Sequence, residues 1–194
     1  MSVPEPNSEI EEDLLARAID GDRNAYGELA ARCYPAVVRV VYRLCGDAQL
    51  AEDAAQEAFI RAWTKLPGYQ SKAPFCRWVY RIAVNIALDV LRRKPHDSLD
   101  EDSYANQLAG SSPDPEAVYI EREQSDRVQK AIRALPEGAR AVLVLREYGG
   151  LSYDEISSTL DIPAGTVMSR LNYARTRLRE MLREDRAEME RVYA

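Results

Sequence analysis

Apolar residues recur at helical spacing from one end of the chain to the other, and the pattern predicts an all-α protein. Between Glu9 and Ala31, Leu14, Leu15, Ala18 and Ile19 share one side of a helix that breaks at Gly21-Asp22. Tyr26, Leu29 and Ala30 begin a second helix. Pro35 is expected to interrupt or kink it before Val37, Val38, Val41 and Leu44 carry it on to Gly46-Asp47. From Ala51 to Leu66, the residues Ala55, Phe59, Ala62 and Leu66 line one face of a third helix. Pro67 to Pro74 reads as a loop, and Val79, Ile82, Ala83, Ile86 and Val90 then give the most apolar helix of the chain.

Periodicity disappears from Pro95 to Pro115, a run rich in Asp, Ser, Pro and Gly that reads as a flexible acidic linker. Beyond it Val118, Ile120, Val128, Ile132 and Leu135 mark one helix, and Ala139, Val142, Leu143 and Leu145 mark another that starts at Pro136. The expected architecture is two small helical domains: an amino-terminal bundle over residues 9–94, and a four-helix domain with a helix-turn-helix over residues 116–194. Fully extended, a linker of roughly twenty residues reaches about 70 Å, which lets both domains sit on one duplex.

The helix-turn-helix is read from Leu151 to Arg179. Gly149 and Gly150 end the preceding helix, and Ser152 with Glu155 forms a capping box that starts a new one, with Ile156 and Leu160 on its apolar face. Asp161-Ile162 make the turn, and Pro163 suits a first helical position, where an N–H is dispensable. In the second helix Val167, Leu171, Ala174 and Leu178 form the inward stripe. Gly165, Ser169, Asn172 and Thr176 lie opposite, bordered by Arg170 and Arg177 on one side and by Arg175 and Arg179 on the other. Small polar side chains between guanidinium groups suit a major groove, with base edges read at the centre and phosphates gripped at the borders. The candidate duplex-reading residues are Thr166, Met168, Ser169, Arg170, Asn172, Tyr173, Arg175 and Arg177.

A formal net charge of −6 is awkward for a protein that grips DNA unaided, because duplex affinity comes largely from neutralising phosphates. Help from a partner is implied. Basic residues are concentrated locally, around Arg77 to Lys94 and Arg170 to Arg183, so two separate contacts are expected. In the first of these, Phe75, Trp78 and Tyr80 interleave with Arg77 and Arg81, and the segment closes on Arg92, Arg93 and Lys94. Rings beside arginines suit unstacked single-stranded bases. Asn85, polar within the most apolar stretch, is able to hydrogen-bond a base edge. On the third helix Asp53, Gln56 and Glu57 fall at i, i+3 and i+4 on one face, which taken alone reads as a solvated face.

No apolar run approaches a membrane span, and the acidic start MSVPEPNSEIEED is unlike a signal peptide, so a cytoplasmic location without membrane insertion is expected. Cys33, Cys45 and Cys76, an odd and widely spaced set among apolar neighbours, are expected to be reduced core thiols. His96 is the only histidine, which argues against a protein-encoded metal site. No metal-carboxylate cluster, phosphate-cradling loop or nucleophile-base pair is evident. Neither an enzyme, a cofactor nor a small-molecule substrate is therefore expected.

The order of DAAQEAFIRAW, FCRWVYRIAVNIALDVLRR, an acidic linker and LPEGARAVLVLREYGGLSYDEISSTLDIPAGTVMSRLNYARTRLR resembles the extracytoplasmic-function group of bacterial alternative sigma factors, over about Asp13 to Leu182. The resemblance implies a subunit that binds core RNA polymerase and directs it to promoter DNA, held in check by an anti-sigma factor. It implies that Asp53, Gln56 and Glu57 contact the clamp coiled coil of the largest polymerase subunit. Tyr69, Phe75, Arg77, Trp78, Arg81, Asn85 and Arg92 would serve the −10 element, capturing an unpaired base, and the helix-turn-helix would read the −35 element. Family members often carry a basic residue where this chain has Met168 and Tyr173, so a changed −35 preference or a weaker contact is expected. The alternative is a dimeric, polymerase-independent helix-turn-helix regulator whose front domain senses a ligand.

Overall fold

The computed structural model describes residues 8–69, 74–93 and 115–192, and every regular element among them is helical. Eight α-helices follow one another: α1 (Ser8–Ile19), α2 (Arg23–Cys45), α3 (Ala48–Lys65), α4 (Phe75–Arg93), α5 (Pro115–Arg133), α6 (Glu137–Glu147), α7 (Tyr153–Leu160) and α8 (Ala164–Val192). A single 3₁₀ turn over Leu66–Gly68 follows α3. Of the expected linker only Pro115, which opens α5, is described; the rest of it, with His96, lies outside the described residues.

Local chemistry sets the boundaries. Asp22 caps α2 by accepting the N–H groups of Asn24 (2.9 Å) and Ala25 (3.1 Å). These bonds, with Arg17 at 2.7 Å, hold its carboxyl below the usual carboxylate range, the Ala25 bond being the main cause. Asp47 caps α3 through Leu50 N–H at 2.9 Å, so that helix begins three residues before the expected Ala51. Pro35 lies inside α2 without ending it. Its ring is exposed, so the hydrogen bond it forfeits is lost on the water side while Leu29, Cys33 and Val37 keep the inner face packed.

In the front half α2 lies against α1, α3 and α4; in the back half α8 packs on α6, α7 and α5. The halves also touch. Gln129 of α5 is buried and donates to the carbonyls of Tyr42 (3.2 Å) and Arg43 (3.4 Å), and Arg140 of α6 donates to that of Leu44 (3.1 Å). Arg43 in turn donates to Gln129 (3.0 Å) and Ser125 (3.1 Å) and stacks over Tyr148. The last carbonyls of a helix have no partner within it, and here three of them are met by the other half of the chain. Gly46, at φ 71°, closes α2 in the left-handed region, and a Cβ there would lie 2.5 Å from Cδ of Arg133.

One expectation is overturned. Cys33 and Cys76 are joined in a disulfide that links α2 to α4, with 5.5 Å between their Cα atoms, and are not free thiols. The pairing of α2 with α4 closes a sequence separation of 43, which no local spacing reveals. Cys45 is free and buried, and burial pushes its thiol up to about 12.

The capping box is formed: Ser152 Oγ accepts the Glu155 N–H and Glu155 accepts the Ser152 N–H at 2.7 Å. Ser152→Ala is expected to lower the unfolding free energy by about 1 kcal/mol, read from the midpoint of urea denaturation with an unchanged slope.

Candidate nucleic-acid interface

Three surfaces carry the candidate residues, and each is built on a helix with a packed underside. On α4, Trp78, Arg81, Asn85 and Arg92 fall at helical spacing along one stripe. Asn85 and Arg92 are exposed, while Arg77, Trp78 and Arg81 are half-buried. Tyr69, just past the 3₁₀ turn, sets its ring edge-on to Trp78 with centroids 4.9 Å apart. Residues 70–73 of the expected loop lie outside the described residues. Arg92 is paired with Glu137 across the seam between the halves at 3.2 Å.

Phe75 departs from the surface role expected of it: its side chain is wholly buried. It packs under Trp78 at 5.9 Å and against Tyr26 at 6.0 Å, and so supports the half-buried Trp78 ring from below. Two supporting groups had no signal in the sequence. Glu11 of α1 accepts the N–H of Phe75 at 2.8 Å, capping α4 from a helix 64 residues away. Tyr26 donates to the carbonyl of Phe59 at 2.5 Å, and burial raises its phenol to about 12.

On α3, Asp53 and Gln56 are exposed and Glu57 is half-buried, and Ile60, 61% exposed, extends the same stripe one turn further. Asp53 accepts from Gln49 at 2.9 Å and Glu57 pairs with Arg61 at 2.7 Å. Asp53 and Glu57 rim an open depression of about 370 Å³ whose floor includes Leu50, Ile86 and Val90. An apolar floor with a carboxylate rim suits a partner presenting apolar and basic side chains together.

On α8, Val167, Leu171 and Ala174 are buried, and Leu178 packs against the same core. Gly165, Met168, Ser169, Asn172, Tyr173 and Thr176 are exposed and Thr166 is half-buried. The turn before the helix is fixed by Asp161 in the left-handed region at φ 52° and by Ser157 Oγ donating to the Ile162 carbonyl at 2.6 Å. Three of the four bordering arginines are engaged within the chain. Arg175 pairs with Glu147 at 2.6 Å, Arg177 with Glu180 at 3.2 Å, and Arg170 folds over Gly138. Exposed ion pairs are worth about 0–1 kcal/mol, so a phosphate can replace the carboxylate at little cost.

Among the described residues there is no group of three or more His, Cys, Asp or Glu placed to hold a metal ion, and no helix long and apolar enough to cross a membrane. By residue type the three surfaces suit groove reading, single-strand stacking and protein docking.

Comparison with known proteins agrees with that combination. Residues 29–95 match the family model Sigma-70 region 2, and residues 125–178 match Sigma-70, region 4. The chain is 34% identical over 172 residues to the ECF RNA polymerase sigma factor SigW of Bacillus subtilis, covering 84% of this chain and 92% of SigW. It is 36% identical over 170 residues to the ECF RNA polymerase sigma-E factor of Escherichia coli K12, covering 84% of this chain and 88% of that protein. The solved structure of CnrH in complex with the cytosolic domain of CnrY superposes with a TM-score of 0.66 at 25% identity, covering 91% of this chain and 99% of CnrH.

Tyr26 provides a pH-dependent check on the support beneath Trp78. Its phenol is raised in the folded chain, so its contribution to stability is complete below the ordinary tyrosine value and is lost as pH rises toward about 12. Tyr26→Phe is expected to remove that alkaline component, and to cost about 1 kcal/mol at neutral pH, both read from denaturation midpoints across pH.

Proposed function

Since this chain belongs to the extracytoplasmic-function sigma factors of bacterial RNA polymerase, we propose that it joins core polymerase and directs initiation by using its three surfaces in concert. The α3 stripe of Asp53, Gln56 and Glu57 docks on the polymerase clamp, with Ile60 and the depression beside it extending the contact. The α4 stripe receives bases of the −10 element, and α8 reads the −35 element.

One observation carries this reading: a single chain of net charge −6 places partly exposed rings and arginines on one helix and an exposed stripe of small polar residues on another. A duplex-binding regulator needs only the second. Too acidic to bind DNA strongly alone, the chain draws its remaining affinity from polymerase. Neither a ligand-sensing cavity nor a second copy is required, which leaves the dimeric regulator without a supporting feature.

Opening proceeds by capture. Trp78 and Tyr69 offer ring faces, Arg77 and Arg81 follow the backbone, and Asn85 reaches a base edge. Stacking is worth roughly 1–3 kcal/mol per base, so a few trapped bases offset the loss of a short stretch of pairing without hydrolysis or a cofactor. Phe75 and Glu11 hold the platform still, which lowers the ordering cost of capture. On α8, Asn172 and Ser169 stand at the centre, and Met168 and Tyr173, about half exposed at 52% and 50%, border them. The protein acts in the cytoplasm, where polymerase and promoters are, and an anti-sigma protein is the expected brake on it.

Purified chain added to core polymerase is expected to give a specific run-off transcript that core alone does not; the absence of any new start site sinks the proposal. Asp53→Ala with Glu57→Ala should abolish retention on core polymerase while leaving the melting temperature within about 2 °C, because both side chains lie at the surface; normal pull-down would refute the docking assignment. Asn85→Ala should weaken permanganate reactivity of opened thymines more than it weakens duplex recognition, and equal reactivity would reject its role at the −10 element.

A further inference from the structure

We propose that Cys33 and Cys76 form a reversible oxidation site, closed by hydrogen peroxide and reopened by dithiols, that pins the first turn of α4 to the middle of α2. The placement beneath the base-capturing face and the expected reversibility rest on the proposed function; the bond between the two sulfurs does not.

Cys76 is the second residue of the 19-residue helix α4 and is half-buried, and Arg77 follows it. Of the two sulfurs, that of Cys76 is the one an oxidant can reach, and the thiolate is the form that reacts. Cys33 is 2% exposed on the facing side of α2, within bonding reach of Cys76 and shielded from solvent. The two sulfurs therefore have different parts. The Cys76 thiolate attacks one peroxide oxygen, the O–O bond breaks, and the departing hydroxide takes a proton to become water, leaving a sulfenic acid. The Cys33 sulfur then attacks Sγ of Cys76, the S–O bond breaks, and a second water leaves as the disulfide forms. Two thiols have been oxidised by two electrons and one peroxide reduced to two waters. A dithiol reverses the bond by exchange.

Reversibility follows from where such a protein works. A chain that acts with polymerase on DNA works among cellular thiols, where disulfides are transient and responsive, not permanent staples. The third thiol provides an internal contrast: Cys45 is buried, its Sγ donates to the Asp47 carbonyl at 3.2 Å, and it has no cysteine partner. The site sits at a sensitive place. Cys76 lies between Phe75, buried beneath the aromatic surface, and Trp78, which forms that surface, and Glu11 holds the same turn from α1. Closing the bond fixes that turn to α2; opening it leaves the turn to the Glu11 cap and to ring packing.

The test uses the full chain. Fully reduced and denatured, it takes three maleimide labels by mass spectrometry, one for each cysteine. After a short treatment of the folded, reduced chain with hydrogen peroxide, it is expected to take one label, located on Cys45, and dithiothreitol should restore all three. Three labels after peroxide, loss of the Cys45 label, or failure of dithiothreitol to restore labelling would overturn the proposal. Amide exchange over residues 75–79 is expected to be at least tenfold slower in the oxidised form, and the melting temperature about 10 °C higher; identical exchange in both forms would remove the pinning. Cys76→Ser should be indifferent to peroxide in labelling and exchange. Should Cys33→Ser fail to fold, the half-buried Cys76 variant still decides the matter. None of these readouts needs polymerase or promoter, so their failure is distinct from failure of the proposed function.

Discussion

Helix α2 has to be covered along most of its length, and the other elements are placed by that need. Leu29, Cys33, Val37, Val41 and Leu44 are each no more than 2% exposed, and α1, α3, α4, α5 and α6 all touch this one helix. Burying side chains of this size yields about 1.5–3 kcal/mol each, so no arrangement that leaves α2 open competes. Its far end imposes a second demand, because carbonyls at a helix terminus must find donors. Gln129 and Arg140 supply them from beyond the linker. That seam carries apolar packing as well, since Ile132, Leu135, Val142 and Leu145 belong to the same core as Val41 and Leu44.

The candidate recognition surfaces depend on groups packed beneath them. Trp78 keeps its orientation because Phe75 lies beneath it and Tyr26 braces Phe75 in turn. The start of α4 is capped by Glu11, a residue at the other end of the amino-terminal half. On the proposed reading, a base arriving at this face would meet rings already ordered, so little conformational entropy would be lost on capture. On α8 the charges are held differently, in exposed pairs such as Arg175 with Glu147 that keep guanidinium groups near the groove-facing side while no phosphate is present. On the same reading, acidic neighbours of this kind would temper unspecific attraction to DNA without removing the cations a duplex would engage.

Most of the helices were legible because their causes are local. The 3.6-residue recurrence of Val167, Leu171 and Ala174, the Ser152–Glu155 box and the Gly149-Gly150 stop all act within a few residues of themselves. That Pro35 leaves α2 uninterrupted was not legible, for the opposite reason. Whether proline breaks a helix depends on which side its ring faces, and only packing decides that. Asp47 moved a helix start by capping through its side chain, and the aromatic cluster drew Phe75 inward although its neighbours stayed at the surface. At the candidate site, the stripes on α3, α4 and α8 could be read from spacing, but the engagement of Arg92, Arg170 and Arg175 by groups from other helices could not.

The sequence by itself determined the helical elements, their amphipathic faces and the residue types offered to nucleic acid and to a protein partner, since each depends on periodicity and on caps within one turn. Tertiary structure alone decided that Cys33 meets Cys76, that Glu11 caps α4, and that Gln129 and Arg140 close the end of α2. Those contacts join residues separated by 43, 64 and more than 80 positions. Proximity at such separations is set by how buried faces stack in space, a property of the packed whole that no short stretch of chain contains.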